Sequence, residues 1–179
     1  MSLSHALLTA LLEHPCSGSE LANRFDRSIG YFWPATHQQI YRELAGIEKS
    51  GWIESLPPES GRGRKRGYRV LPAGEAELKR WVVEPQNPRP VRDELSVRLR
   101  AEAVVGPTDL QVGIEQRMLR HQARLAHYLD LERRDFSNPD PDRAQRLRRL
   151  VLQAGIDSER RWIGFCQAAL SILAEGNPS

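Results

Sequence analysis

Residues 36–51 read THQQIYRELAGIEKSG, and this stretch predicts a capped helix that ends at a glycine. Thr36 and Gln39 have the spacing of a capping box, in which each side chain bonds the backbone N–H of the other residue. Apolar residues recur at i, i+4 and i+7, so one face of the helix should be buried: Ile40, Leu44 and Ile47. Gly51 is the residue type that commonly follows the last helical turn.

Two short runs after this helix, 52–56 and 67–71, alternate between apolar and polar residues as strands do. The residues between them, 57–66, read PPESGRGRKR. This segment is too long for a tight turn and too polar for a core. The simplest interpretation is a β-hairpin with an extended tip. A further helix is predicted from Pro72 to about Glu84.

Upstream of residue 36 the sequence predicts two more helices. Leu3 to Glu13 carries apolar residues on one face at helical spacing and is stopped by Pro15. Ser17, with Glu20 three positions later, forms a second capping box for a helix that runs to about Asp26. The predicted order is therefore three helices, a strand, a basic loop, a strand and a helix, which is the order of a winged helix-turn-helix.

Prolines at 85, 88 and 90 indicate a linker, and the chain after them has the pattern of an all-helical domain. Helices are predicted over 93–105, from a cap at Thr108 to the break near Asn138, and from about Asp142 onward. We predict a mainly α fold with a small β-hairpin. Its parts are a winged helix-turn-helix DNA-binding domain at 1–84, a linker at 85–92 and an antiparallel helical dimerisation domain at 93–175.

The basic residues are concentrated in one place. Residues 1–84 hold 11 Lys and Arg against 10 Asp and Glu, yet five of these bases lie within 62–69. A basic run alone is equally typical of a solvated loop, and polar residues at a helix start are usually only a capped end. The conjunction of a capped helix with a basic hairpin beside it favours contact with double-stranded DNA.

The helix would enter the major groove and choose the sequence, while the hairpin tip would contact phosphates or a minor groove. Tyr68 has hairpin packing as its alternative role, and Tyr41 has half-buried packing. The predicted DNA-binding residues are Thr36, His37, Gln38, Gln39, Tyr41, Arg42, Arg62, Arg64, Lys65, Arg66 and Tyr68.

The segments FWPATHQQIYREL (32–44), IEKSGWI (47–53), RKRGYRV (64–70) and PAG (72–74) resemble the PadR family of bacterial transcriptional regulators. The family pattern differs at three positions, which here are Ile47, Gly67 and Pro72. The resemblance covers about 3–84. The rest is similar to the helical, virulence-activator-like domain of one subgroup. The resemblance implies a cytoplasmic homodimer that binds a pseudo-palindromic operator, usually to repress transcription, with an apolar effector pocket nearby.

The last predicted helix carries an apolar stripe that would form the dimer, since two long helices in a lone hairpin cannot bury both faces. The alternative is that the stripe packs within the chain and on 93–105. The predicted interface is Leu147, Val151, Ala154, Trp162, Phe165, Ala169 and Ile172. A pocket for a small aromatic ligand at the domain junction would use Trp81, Met118, Tyr128, Trp162 and Phe165, whose alternative role is simple core.

Other classes of function have little support in the sequence. The five histidines lie at no zinc or catalytic spacing from cysteines or carboxylates, and no Gly-rich phosphate loop is present, so we expect neither an enzyme nor a cofactor. No membrane-length apolar run or secretory signal pattern occurs. Two distant cysteines fit a reduced, cytoplasmic protein. The open alternative is a winged helix that binds RNA or another protein.

Overall fold

The computed structural model of the chain describes residues 2–27, 33, 35–57, 66–86 and 92–175. The chain forms two compact units, Met1–Pro88 and Arg89–Ser179. Both units are mainly helical, and a small antiparallel sheet lies in the first. This confirms the predicted fold class.

The first unit contains four helices and three short strands in its described part. They are α1 (Ser2–Glu13), β1 (Cys16–Ser17), α2 (Gly18–Arg27), α3 (His37–Lys49), β2 (Ile53–Ser55), β3 (Gly67–Val70) and α4 (Pro72–Val82). The predicted hairpin is present, with Ile53 opposite Val70 in the antiparallel β2–β3 pair. The sheet also has a strand that was not predicted, because Cys16 of β1 pairs with Tyr68 on the other edge of β3.

Both predicted capping boxes are formed, and they fix where α2 and α3 begin. At α3 the Thr36 hydroxyl accepts the Gln39 backbone N–H at 3.2 Å, and the Gln39 side-chain oxygen Oε1 accepts the Thr36 backbone N–H at 2.8 Å. At α2 the Ser17 hydroxyl accepts the Glu20 N–H at 3.3 Å, and the Glu20 carboxylate accepts the Ser17 N–H at 3.1 Å. Gly51 follows α3 with a φ of 70°, the left-handed conformation that a helix stop requires.

The predicted apolar faces of α1, α2 and α3 meet in one core. Its fully enclosed side chains are Leu7, Leu8, Leu11, Leu21, Phe25, Ile40, Leu44 and Ile53. Because α3 buries Ile40, Leu44 and Ile47 here, its opposite face is left to the solvent.

Gly74 of α4 packs directly against the backbone of Trp52, the residue before β2. A Cβ at this position would lie 2.3 Å from the backbone oxygen of Trp52, which already accepts the Leu71 N–H at 2.8 Å. We expect Gly74→Ala to lower the free energy of unfolding of the first unit by about 1–3 kcal/mol, because backbone rather than a flexible side chain must move.

The matched control is Gly46→Ala in α3, where a Cβ would meet no atom within 4 Å. This change should stabilise the unit by roughly 0.5–1 kcal/mol, since alanine is the better helix former. Native-state hydrogen exchange of amides in α1, α3 and α4 measures the first unit separately from the second. Equal protection in the two variants would contradict the close approach at Gly74.

The second unit consists of three helices in its described part: α5 (Glu94–Val105), α6 (Leu110–Asp135) and α7 (Arg143–Glu175). The Asp93 carboxylate caps α5 by accepting the Ser96 N–H at 2.9 Å. Thr108 was predicted to cap α6, but Asp109 occupies the cap position and makes no side-chain cap bond. Thr108 instead accepts the Leu110 N–H at 3.2 Å. Helices α6 and α7 pack along each other around Ile114, Tyr128, Ile156 and Cys166.

Candidate nucleic-acid interface

The solvent face of α3 presents a continuous line of side chains opposite its buried face. The line is spaced at 4, 3 and 4 residues: Gln38, Arg42, Ala45 and Lys49, all of them exposed. Ala45 and its neighbour Gly46 carry little or no side chain, so a flat or concave partner can come close to the helix backbone. The DNA major groove is wide enough to admit one α-helix. The exposed face of α3 carries side chains, Gln38 and Arg42, that can form hydrogen bonds with base edges.

Ala45 and Lys49 were not among the predicted residues, although the signal was in the sequence. They continue the period that begins with Gln38 and Arg42. The prediction stopped at the helix N-terminus because base contacts are usually made there.

The cations on this face have no carboxylate partner in the described part of the chain. Arg69 and Arg80 do have one: the Arg69 Nε donates to Glu54 at 2.8 Å, and the Arg80 Nη2 donates to Glu77 at 2.7 Å. No carboxylate among the described residues therefore offsets the charges of Arg42 and Lys49, and both side chains can pair with an external anion such as a phosphate.

The capping box limits what the start of α3 can offer. The Gln39 side-chain oxygen Oε1 accepts from both the backbone N–H and the hydroxyl of Thr36, so these two side chains hold the helix end. The side-chain amide nitrogen of Gln39 remains available as a hydrogen-bond donor. Gln38 and His37 are exposed beside it. Of the predicted helix-end residues, Gln38 is the one placed on the outward line.

Two tyrosine rings connect α3 to the sheet. A Cβ added to Gly18 at the start of α2 would lie 2.9 Å from Tyr41 Cε1 and 3.3 Å from Tyr68 Cε2. Both rings therefore rest against this glycine. Tyr41 is about half exposed, whereas Tyr68 is half-buried on β3, where desolvation raises the pKa of its phenol. These contacts place β3 beside α3.

Most of the predicted basic tip, Arg62, Arg64 and Lys65, lies outside the described residues. Arg66 is described and is exposed immediately before β3. Its carbonyl oxygen accepts the Gly18 N–H at 3.4 Å, so the base of the loop is fixed to the start of α2. Strand β3 thus begins beside the start of α2.

The predicted effector-pocket residues are placed in packing contacts, each within its own unit. In the first unit Trp81 stacks on the buried His5 ring with centroids 4.4 Å apart. In the second unit the Tyr128 ring packs on Gly155, and Met118 borders the apolar core. Trp162 meets Phe165 edge-on at 5.7 Å. An open cleft of about 480 Å³ in the second unit is lined by none of these residues.

Two histidine–carboxylate contacts appear in the structure although no sequence spacing indicated them. His5 Nε2 lies 3.2 Å from the Glu77 carboxylate, and His121 Nδ1 is hydrogen-bonded to Glu159. A hydrogen bond from Arg80 and, to a smaller extent, one from His5 lower the pKa of the Glu77 carboxyl to about 2. No cluster of three metal-ligating side chains occurs among the described residues.

The predicted dimer stripe on α7 is largely exposed in the single chain. Its exposed members are Leu147, Val151, Ala154, Phe165 and Ile172. Ala169, by contrast, is buried in the core of the second unit, and Trp162 is partly covered. Within the unit α7 buries a different face, formed by Leu152, Ile156, Glu159 and Cys166.

Each of the two units matches a known protein family. Residues 7–80 match the Transcriptional regulator PadR-like family, and residues 91–174 match Virulence activator alpha C-term. The Mycobacterium tuberculosis protein named Probable transcriptional regulator Rv1176c is 37% identical over 98% of this chain and 99% of its own length.

Solved structures show the same fold over nearly the whole chain. The Vibrio cholerae virulence activator AphA is 30% identical with a TM-score of 0.81, over 97% of this chain and 98% of its own. Bacillus subtilis PadR in complex with operator DNA is 23% identical with a TM-score of 0.82, over 96% and 98%. The Bacillus subtilis protein has also been solved with p-coumaric acid.

No helix in the described part of this chain is long and apolar enough to cross a membrane.

Proposed function

This chain belongs to the PadR-like family of transcriptional regulators, and from that premise we propose that it binds double-stranded operator DNA sequence-specifically as a homodimer. Members of this family regulate transcription and are not enzymes. The observation that carries the proposal is the outward line of α3, where Arg42 and Lys49 have no carboxylate partner in the described residues and flank the small Ala45.

We assign the two roles to separate parts of the chain. Residues 1–84 form the DNA-binding domain, 85–92 the linker and 93–175 the dimerisation domain. The exposed stripe of α7 supports this division, because Leu147, Val151 and Ile172 are apolar side chains that a partner chain would cover. A two-fold dimer places two copies of α3 on successive half-sites, which is why a pseudo-palindromic operator is expected.

We propose that the protein represses transcription. It would act in the cytoplasm, where the chromosome lies. A dimer that covers an operator excludes other proteins from that DNA. A small aromatic effector would release it, as the complex of the Bacillus subtilis protein with p-coumaric acid suggests by analogy. A reporter gene under the chain's own upstream region should become more active when the gene for this protein is deleted.

The binding test is a gel shift with duplex DNA from the region upstream of the gene. The protein should shift this duplex at concentrations that leave a scrambled duplex free, and the affinity should fall steeply as salt rises. An RNA of the same sequence is added as the competitor. A shift of RNA in preference to duplex DNA, or equal affinity for the scrambled duplex, would overturn sequence-specific operator binding.

The basic tip should set affinity without setting sequence preference. We expect Arg64→Ala combined with Lys65→Ala to weaken binding to the operator and to the scrambled duplex by the same factor. Each lost phosphate contact should lower the slope of log affinity against log salt by about 0.9, so the four contacts that a dimer loses should lower it by about 3.6. Salt titrations of the two duplexes measure this. A change in sequence preference with an unchanged slope would show that the tip reads bases.

A further inference from the structure

Gly46 lies within α3 at a position where the described part of the first unit does not require a glycine. The residue is exposed and helical, and a Cβ built on it would meet no described atom within 4 Å. Its φ is not positive, unlike that of Gly51 at the helix stop. Because glycine inside a helix is less stable than alanine, its presence here calls for a reason outside the packing of the unit.

Ala45 lies beside this glycine at the centre of the outward line of α3, with Arg42 one turn before it and Lys49 one turn after it. The centre of the line therefore carries almost no side chain, while a long cationic side chain extends from each end. This profile fits a DNA groove, in which phosphates line the edges and the base edges form the floor.

The two carboxylates of α3 are held by partners within the first unit. The Ser4 hydroxyl donates to Glu43, and the Ser55 N–H donates to Glu48 at 3.1 Å. Both glutamates are half-buried, and neither belongs to the outward line. Within α3, the face around Ala45 therefore carries no negative charge that would repel DNA.

We propose that Ala45 is a specificity-determining residue whose methyl group contacts the 5-methyl group of a thymine, and that Gly46 lets α3 lie deep enough for this contact. The proposal rests on the operator binding proposed above. An alanine side chain can make only apolar contacts, and the thymine methyl is the apolar group that the major groove displays. Ala45 lies about 4.5 Å from Arg42 along the helix axis, so this thymine lies within about two base pairs of the base that Arg42 contacts.

The test uses the wild-type full-length protein and operator duplexes in which each thymine is replaced in turn by deoxyuridine, which lacks only the 5-methyl group. Each replacement is made in both half-sites, and fluorescence anisotropy at fixed salt measures the affinity. At one position uracil should weaken binding by about tenfold, the effect of two lost methyl contacts in a dimer. Unchanged affinity at every thymine, with the unmodified operator still bound, would overturn the methyl contact and leave operator binding intact.

Ala45→Gly assigns the contact to this residue. The variant has no methyl group at position 45, so it should bind the thymine and uracil duplexes of the sensitive position with nearly equal affinity. The ratio of two affinities measured on one protein preparation does not depend on how stable its α3 is. A ratio equal to that of the wild-type protein would show that another residue contacts the methyl group, and would overturn the proposal.

Gly46→Ala separates stability from binding. The change should stabilise the first unit, yet it should weaken operator binding by about tenfold because the added Cβ holds α3 away from the base edges. The matched control is Gly113→Ala in α6, another exposed helical glycine whose Cβ would meet no described atom within 4 Å. The control should leave operator affinity unchanged. A Gly46→Ala protein that binds the operator as tightly as the wild-type protein would overturn the close approach.

Discussion

Replacement of Val151 by glutamate is expected to convert the protein from a dimer to single chains. Val151 is 48% exposed in the protomer and lies in the α7 stripe that we assign to the dimer interface. An ion buried at an interface costs several kcal/mol when it has no partner. Because a two-fold dimer contains the change twice, the dissociation constant should rise about a thousandfold or more.

The protomer should still fold, because α7 packs on α6 through the separate face around Leu152 and Ile156. Sedimentation velocity at micromolar concentration measures the mass, and circular dichroism checks that the helix content is kept. Val82→Glu is the matched control, since Val82 at the end of α4 is 68% exposed and outside the stripe. A Val151→Glu protein that keeps the two-chain mass would place the interface on another face.

Most of the fold follows from local patterns in the sequence. Thr36 with Gln39, and Ser17 with Glu20, specify helix starts within a few residues, so the capping boxes could be recognised without any knowledge of tertiary structure. The burial of Ile40, Leu44 and Ile47 follows from the helical period in the same way.

The features that were not predicted depend on contacts between distant parts of the chain. Strand β1 has two residues, Cys16 and Ser17, and exists only because β3 offers a free edge to it. His121 and Glu159 are 38 residues apart and meet because α6 and α7 pack along each other. No spacing rule within one segment can indicate such pairs.

The α7 stripe shows where a periodic pattern is ambiguous. The prediction grouped Ala169 with Leu147 and Val151, yet Ala169 is buried within the second unit. A helix of 33 residues with apolar side chains on two faces can present either face to its own chain. The choice depends on α6, whose buried residues Ile114 and Tyr128 select the face around Ile156 and Cys166.

Replacement of Arg42 by alanine is expected to reduce operator affinity by on the order of a hundredfold, because each base contact contributes about 1–3 kcal/mol and a dimer loses two. Arg42 is central on the outward line of α3 and makes no ion pair in the described residues, so its removal should leave the fold intact. Affinity for the scrambled duplex should change much less, which lowers the specificity ratio.

Two companion variants distinguish a base contact from a phosphate contact. Arg42→Lys keeps the charge but not the planar fork, so it should retain the salt dependence and still lose discrimination between the two duplexes. Lys49→Ala, at the other end of the same line, should weaken binding to both duplexes equally. If Arg42→Ala also weakened both duplexes equally, Arg42 would contact phosphate only, and sequence choice would rest on Gln38 and its neighbours at the start of α3.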